Sequence, residues 1–148
     1  DLSYRGIENP FGYIWSWTDG CKCAIESDAD GGVSSFYTCD NPANYQDTNY
    51  DNYVKRGELP RKEGYVKRMM IGEYGENMPT EVGAGSTTYF ADYFYTNIPA
   101  SGVAQRGVLF GGSAYSGASA GLSCAYTTNA ATATHAYFGS RLCFIPAA

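Results

Sequence analysis

Side chains alternate with a period of two in parts of this chain, and that pattern predicts β-strands. Near the N-terminus Tyr13, Trp15 and Trp17 alternate with other residues, which predicts a strand, with a short helix as the alternative. The Asp19-Gly20 pair that follows is a hairpin signal, so residues 21–27 are expected to form the returning strand. The two tryptophans are expected to pack in a core. The alternative is an exposed platform for stacking a sugar.

Three further segments carry strand patterns. Residues 33–37 predict a short strand, and residues 64–71 predict a strand or a bend into one, with the basic Lys67 and Arg68 on a solvated face. Residues 87–95 are dense in β-branched and aromatic side chains, which is the strongest strand signal in the chain. Residues 40–51 predict a surface loop with a short helical turn, and the turn-rich residues 72–85 predict a loop. Because no linker or charge run divides the chain, residues 1–148 are expected to form a single domain.

The C-terminal segment, residues 108–144, is built on two interleaved sets of positions. One set is a frame of small and apolar residues: Val108, Leu109, Phe110, Gly111, Gly112, Gly117, Ala120, Gly121, Leu122, Gly139, Leu142 and Phe144. The other set carries Ser, Thr, Tyr, Asn and His. Small residues permit tight turns and close backbone approach, while Tyr offers large contact area at low entropy cost and Ser and Asn adapt their hydrogen bonds. This segment is therefore predicted to be a recognition surface.

Composition and charge exclude several classes of protein. The net charge of −5 argues against a nucleic-acid partner, which would require a basic face. No run of about 18 apolar residues is present, so we expect no membrane insertion. The chain begins at Asp1 rather than Met, and we expect it to be the C-terminal part or a processed form of a longer protein.

The residues that could hold a metal ion are few and poorly spaced. Cys21-x-Cys23 is too short for the usual zinc motif, and His135 is the only histidine. The segment 28–32 begins like a calcium loop but lacks the later ligands, so it predicts a turn. We expect no metal and no cofactor. A disulfide between Cys124 and Cys143 is one interpretation of the cysteines, and small buried hydrophobic residues are the other.

Catalysis is not expected either. His135 lies among small polar residues with no nucleophile elbow nearby, so it is expected to be a contact residue rather than a base. Two carboxylate pairs, Glu73 with Glu76 and Asp28 with Asp30, could in principle serve a glycosidase. Both pairs lie in glycine-rich turns that are expected to be exposed, so the sequence predicts that the protein is not an enzyme.

Short motifs at both ends of the chain resemble known proteins. The C-terminal segment resembles the corresponding module of C-type-lectin-like folds of the formylglycine-generating-enzyme type, through Gly111-Gly112-Ser113, residues 116–121 and Gly139-Ser140-Arg141-Leu142. It is similar, more closely, to the variable region of proteins diversified by retroelements: phage tail-tip receptor-binding proteins and bacterial surface lectin-like proteins. Residues 5–12, with Trp15 and Asp19-Gly20, look like a segment of phage tail structural proteins.

The resemblance implies a fold and a set of site residues. The fold would be α+β: a C-type-lectin-like domain with small antiparallel sheets, long irregular loops and one or two short helices. Arg141 would be structural, and this chain departs from the family pattern at Ser140 and at Ser123-Cys124. The implied ligand-binding residues are Ser113, Tyr115, Ser116, Ser119, Ser123, Tyr126, Thr127, Thr128, Asn129, Thr132, Thr134, His135 and Tyr137.

The resemblance also implies a function. It predicts recognition of a host cell-surface protein or glycan at a phage tail tip or fibre, with Tyr115, Tyr126 and Tyr137 as rigid anchors. Assembly as a homotrimer would multiply weak single-site binding. The location would be the virion tail or, for a secreted protein, the extracellular space or cell surface. The alternatives are a structural subunit of a tail or extracellular filament, and a bacterial surface lectin-like adhesin.

Overall fold

The computed structural model describes residues 3–4, 7–73 and 75–140. Within them the chain forms a series of β-strands joined by loops and 3-10 turns. The strands are β1 (Ser3–Tyr4), β2 (Ile7–Glu8), β3 (Trp15–Glu26), β4 (Ser34–Thr38), β5 (Val54–Glu58), β6 (Gly64–Ile71), β7 (Asn77–Val82), β8 (Tyr93–Thr96), β9 (Val103–Gly111), β10 (Gly121–Thr127) and β11 (Phe138–Gly139). The 3-10 turns are Asp28–Asp30, Pro42–Asn44 and Gly117–Ser119.

The expectation of an α+β, C-type-lectin-like fold was wrong, because the structure is nearly all β. The helical segments in the described part of the chain are 3-10 turns of three residues each, and none of them is an α-helix. A chain rich in Tyr, Thr and Gly favours strands and turns over helices, which accounts for the difference. None of the helical segments in these residues is long and apolar enough to cross a membrane.

One large sheet contains most of the strands. Its order is β5-β4-β3-β9-β10-β8-β6-β7, with β11 paired to β3, while β1 and β2 form a separate two-stranded sheet. Most neighbours are antiparallel, but β8 runs parallel to β10 and β11 runs parallel to β3. The long strand β3 lies next to β9 and β4, so it is paired along both edges.

The large sheet curls until it is nearly closed. Register shifts, which add residues to one strand and bend it, occur in the β3–β9, β9–β10, β4–β5 and β6–β7 pairs. The two ends of the sheet approach each other as a result: a Cβ built on Gly57 of β5 would lie 3.0 Å from the Met70 Sδ of β6. Across the same gap, Arg56 Nε lies 3.1 Å from Glu76 Oε1.

The core lies on the inside of this curl. The largest cluster of buried side chains includes Ile25, Phe36, Leu59, Val66 and Phe94 and draws on strands from every part of the chain; its other members are Cys23, Met78, Val82, Val108 and Ala125. A second cluster joins Trp15, Leu109 and Cys124 to partly buried aromatic residues. The prediction that both tryptophans pack in a core is confirmed for Trp15, of whose surface 7% is exposed, while Trp17 is half-buried and packs against the second cluster.

Several predicted elements are confirmed. The strand predicted at residues 33–37 is β4, displaced by one residue, and the strand predicted at 64–71 is β6. Residues 28–32 form a turn, in which Asp30 accepts hydrogen bonds from the Ser27 hydroxyl and from the Gly102 amide. The polar residues 40–51 form a loop that contains the 3-10 turn Pro42–Asn44.

Other predicted elements are wrong. Asp19-Gly20 is not a hairpin, because β3 continues through it from Trp15 to Glu26. Residues 72–85 are not all loop, because Asn77–Val82 is strand β7. Residues 87–95 are not all strand, because only Tyr93–Thr96 joins the sheet and the residues before Tyr93 form turns.

Part of the predicted C-terminal module lies outside the described residues. This concerns Arg141, predicted to be structural, and Cys143, the disulfide partner of Cys124 in one of the two interpretations of the cysteines. Cys124 is fully buried and its thiol is free. The thiols of Cys21, Cys23 and Cys39 are also free, and Cys21 is half-buried.

Candidate functional site

The C-terminal segment crosses the large sheet twice and then runs along its surface. It enters through β9, turns at residues 112–116, returns through β10, and continues as a loop over residues 128–137 before β11. Two glycines with positive φ, Gly111 and Gly112, allow the first turn. The predicted frame residues Val108 and Leu109 are buried, whereas Leu122 is largely exposed.

Two of the predicted binding residues are buried. Thr127 is fully buried, and its Oγ1 donates a hydrogen bond to the Tyr95 carbonyl at 3.1 Å. Ser113 is 6% exposed, and its amide donates to Ser116 Oγ at 3.0 Å. Both residues stabilise the local backbone and offer almost no surface to a partner.

Six more of the predicted residues are half-buried: Ser116, Ser119, Ser123, Tyr126, Thr128 and Asn129. Tyr126 lies between aromatic rings of the second core cluster, 5.1 Å from the Trp15 ring centroid and 5.4 Å from that of Tyr95. Its ring is therefore part of the packing around Trp15. The carbonyl of Asn129 accepts a hydrogen bond from the Gly107 amide and holds the start of the loop against β9.

The remaining five, Tyr115, Thr132, Thr134, His135 and Tyr137, are exposed. The structure brings three of them together in what we call the aromatic patch: Tyr115, His135 and Tyr137. The ring centroids of Tyr115 and Tyr137 lie 5.3 Å apart in an edge-on arrangement, and those of His135 and Tyr137 lie 4.9 Å apart. Tyr115 is 81% exposed and Tyr137 is 40% exposed, so the contacting rings still face solvent.

Backbone hydrogen bonds hold the aromatic patch in place. The Trp15 amide donates to the Tyr137 carbonyl at 2.8 Å, which fixes this end of the loop to β3. On the other side, the Ala114 amide donates to the Tyr13 carbonyl at 3.1 Å, next to the exposed Tyr115. The patch is therefore assembled from two turns that are both anchored on the N-terminal part of the chain.

A second feature, which the sequence did not reveal, is a cavity of about 260 Å³ that we call the bulge pocket. It opens where three residues of β3 have no partner on β9: Thr18 pairs with Val108, and the next pair is Lys22 with Gly107. The extra residues include Asp19, which is exposed, and Gly20, which has a φ of 71°. The pocket is lined by this bulge, by the loop residues Tyr45, Gln46, Asp47 and Tyr53, and by Trp17, Gly107 and Ala131.

Lys22 anchors the loop over the bulge pocket. Its side chain is almost buried, and its Nζ donates a hydrogen bond to the Asn49 carbonyl at 2.6 Å. The same ammonium lies 4.7 Å from the ring centroid of Tyr50 and 5.2 Å from that of Tyr53. Burial lowers the pKa of Lys22, and the nearby Asp47 carboxylate opposes that effect. The Lys22 ammonium therefore holds the loop in place through the Asn49 carbonyl and the rings of Tyr50 and Tyr53.

A third cavity, of about 240 Å³, lies beside the first core cluster. Its walls are mostly apolar, with Phe36, Met78 and Val108 among them, and they include the thiols of Cys21 and Cys124. Burial raises the pKa of Cys21 to about 11 and that of Cys124 to about 12. Both groups are therefore neutral thiols at physiological pH and not nucleophiles.

The groups that could support other chemistry are engaged in structural contacts. Glu73 and Glu76 both face Arg56, at 3.9 Å and 3.1 Å. Asp28 forms an ion pair with Arg61 at 2.7 Å. Among the described residues, no group of three or more His, Cys, Asp or Glu side chains is placed to hold a metal ion.

Comparison with known proteins adds no relative. No family model matches the chain, and neither a curated protein nor a solved structure is similar to it.

Proposed function

We propose that this protein is a non-catalytic recognition domain that binds a cell-surface ligand, protein or glycan, through the aromatic patch. The observation that carries the proposal is the contact between the exposed rings of Tyr115, His135 and Tyr137. Exposed aromatic residues cost solvation free energy in an isolated protein, so a contiguous group of them is typical of an interaction site.

The arrangement of the patch suits binding. Tyr has few rotatable bonds, so ordering it on binding costs little entropy, and its hydroxyl can hydrogen-bond while its ring makes apolar contact. Ring–ring contacts and the anchored backbone restrict Tyr115 and Tyr137 further. The exposed Thr132 and Thr134 on the same loop add hydroxyl groups nearby. Tyr126 is not one of the anchors in this proposal, because it packs against Trp15.

The setting that we propose is a phage tail tip or fibre. It is supported by the resemblance of residues 5–12, Trp15 and Asp19-Gly20 to phage tail structural proteins, which does not depend on the C-type-lectin-like fold that the structure overturned. Assembly as a homotrimer is part of this proposal, because several copies of one modest site would bind a cell surface with high avidity.

The test is a binding experiment with a matched control. Labelled wild-type protein is screened against a panel of bacterial cells and a glycan array, and the Tyr115→Ser/Tyr137→Ser double variant is then measured on every positive surface. Loss of two central aromatic anchors should weaken binding by at least about 10-fold. The control is Tyr89→Ser, since Tyr89 is 83% exposed but lies outside the patch. Melting temperatures check that all three proteins fold.

The outcomes separate the proposal from its alternative. Retained binding by the double variant, or binding by neither protein to any surface, would overturn recognition through the patch. The proposed homotrimer should persist in the double variant. If the wild type self-associates in sedimentation experiments and the double variant does not, the patch is a contact between copies, as in a structural tail or filament subunit.

A further inference from the structure

The bulge pocket has the features of a small-molecule site, in a part of the chain where sugar stacking on the tryptophans was only the alternative to core packing. It is a concave cavity of about 260 Å³ with aromatic rings and charged side chains on the same walls. Sites for small ligands combine apolar and aromatic surface with a few placed polar groups, and typically measure about 300–1,000 Å³. At about 260 Å³ the bulge pocket lies just below that range, so it fits one small ring rather than a chain of them.

The charges of the pocket decide the class of ligand. Asp19 and Asp47 contribute two carboxylates, and Lys22 contributes one ammonium. An anion would be repelled by the carboxylates. A cation would meet the Lys22 ammonium, which already occupies the faces of Tyr50 and Tyr53. A neutral ligand with several hydroxyl groups suffers neither repulsion, because a hydroxyl can donate to a carboxylate and accept from an ammonium.

The aromatic rings of the bulge pocket decide the shape of the ligand. Trp17, Tyr45 and Tyr53 line the pocket, and each offers an apolar ring surface. A ligand that is both polyhydroxylated and able to lie against a ring has hydroxyl groups at its rim and C–H groups on its face. Sugar rings have this form.

The pocket is also preorganised. The loop that carries Tyr45, Asp47 and Tyr53 is fixed by the Lys22–Asn49 hydrogen bond and by a hydrogen bond from the Gln46 amide to Tyr53 Oη at 3.3 Å. A loop that is ordered before binding does not have to lose that entropy when the ligand enters.

We propose that the bulge pocket binds a single neutral sugar ring, held against Trp17 with its hydroxyl groups bonded to Asp19, Asp47 and Lys22. Trp17 lines the pocket, and its ring lies 5.7 Å from that of Phe138, which in turn lies 5.4 Å from the His135 ring of the aromatic patch. The sugar site does not rest on the proposed function of the patch.

The experiment follows the indole N–H signal of Trp17 and the side-chain amide of Gln46 by NMR. The probes are glucose, galactose, mannose, N-acetylglucosamine and N-acetylgalactosamine, with choline and inorganic phosphate as charged probes. At least one sugar should shift both signals. The Asp47→Asn substitution removes a carboxylate that accepts a hydrogen bond from the sugar, so it should lower the affinity for that sugar by about 10-fold or more. The matched control, Asp51→Asn, changes an exposed carboxylate of the same loop outside the pocket and should leave affinity unchanged.

Three results would overturn the proposal: no sugar shifts the two signals, choline or phosphate shifts them instead, or Asp47→Asn binds the sugar as tightly as Asp51→Asn does. The Tyr115→Ser/Tyr137→Ser double variant should still bind the sugar in the pocket. Failure of the sugar site is thereby distinguished from failure of the aromatic patch.

Discussion

Trp17 lies so close to the backbone of Gly107 that no side chain fits between them. A Cβ built on Gly107 would be 2.6 Å from Trp17 Cζ3 and 3.3 Å from Ala131 Cα. The absence of a side chain at this one position lets Trp17 form a wall of the bulge pocket. It also lets the start of the C-terminal loop lie against β9, where the Gly107 amide donates to the Asn129 carbonyl.

We therefore expect Gly107→Ala to destabilise the protein by about 1–3 kcal/mol, the usual cost of forcing extra atoms into a packed site. Urea denaturation measures the free energy of unfolding. The control is Gly85→Ala, because a Cβ at Gly85 would meet no atom within 4 Å; it should change stability by less than about 0.5 kcal/mol. Equal stability of the two variants would show that Trp17 can move aside freely.

At the scale of the element, the bulge in β3 connects the fold to the bulge pocket. β3 pairs with β4 without interruption from Cys21 to Ile25, while its pairing with β9 is broken between Thr18 and Lys22. The three residues in between have no partner on β9, and the bulge pocket lies beside them. Gly20 lies in this bulge and has a left-handed backbone. It also lies close to β4's end, since a Cβ on Gly20 would be 2.6 Å from the Cys39 carbonyl oxygen.

Gly20→Ala should consequently cost about 2–4 kcal/mol, from backbone strain and steric overlap together. Gly102→Ala separates the two contributions, because Gly102 has a similar φ of 70° but open space around it. The Gly102→Ala variant should therefore lose only about 1 kcal/mol of unfolding free energy. The comparison is made from urea midpoints, and a Gly20→Ala variant no less stable than Gly102→Ala would contradict the steric contribution of the Cys39 carbonyl.

At the scale of the whole molecule, the curled sheet buries acidic groups in their neutral forms. Burial raises the pKa of Cys21 from 9.0 to about 11 and that of Cys124 to about 12, and it raises the pKa of Tyr50 above 10.0. When the pH passes the ordinary pKa of such a group, the unfolded chain releases its proton while the folded chain retains it. The folded state is then disfavoured progressively. Lys22 has the opposite effect on the pH dependence of stability, because burial lowers its pKa and the folded chain releases this proton before the unfolded chain does.

Stability should accordingly decrease above pH 9.0, with each buried thiol contributing up to about 1.4 kcal/mol per pH unit until its folded pKa is reached. Urea midpoints measured below pH 9.0 and above pH 10.0 give the slope. Cys124→Ala removes one of the groups and should have a shallower slope than the wild type. The same slope in both proteins would show that Cys124 does not titrate with unfolding.

Predictions from the sequence held where local pattern and tertiary context agree. The strands predicted at residues 33–37 and 64–71 are examples, since neighbouring strands pair with the backbone of both. The prediction for residues 87–95 failed at its start because Thr88 bonds within its own turn, with Oγ1 donating to the Gly85 carbonyl at 2.8 Å. Such a local bond competes with sheet formation.

The opposite error occurred at residues 72–85. The turn-rich character of these residues predicted a loop, but β7, which includes Pro79, lies at the end of the sheet order, paired with β6. A proline is tolerated in an edge strand because its missing N–H is not needed by a second neighbour. Which strand becomes an edge is a property of the whole sheet and is not encoded in the few residues around Pro79.

The sequence by itself determined a pattern rich in strands and turns, a net negative charge, and a C-terminal segment of small residues interleaved with Tyr, Ser, Thr and His. Only the tertiary structure decided which of those residues face outward: Tyr115, His135 and Tyr137 form the aromatic patch, while Ser113 and Thr127 are buried. It also created the bulge pocket, by placing Asp19 beside Asp47 and Trp17 beside Gly107. Alternation along a strand specifies two faces, but the curl of the sheet determines which face is enclosed and which distant loops meet.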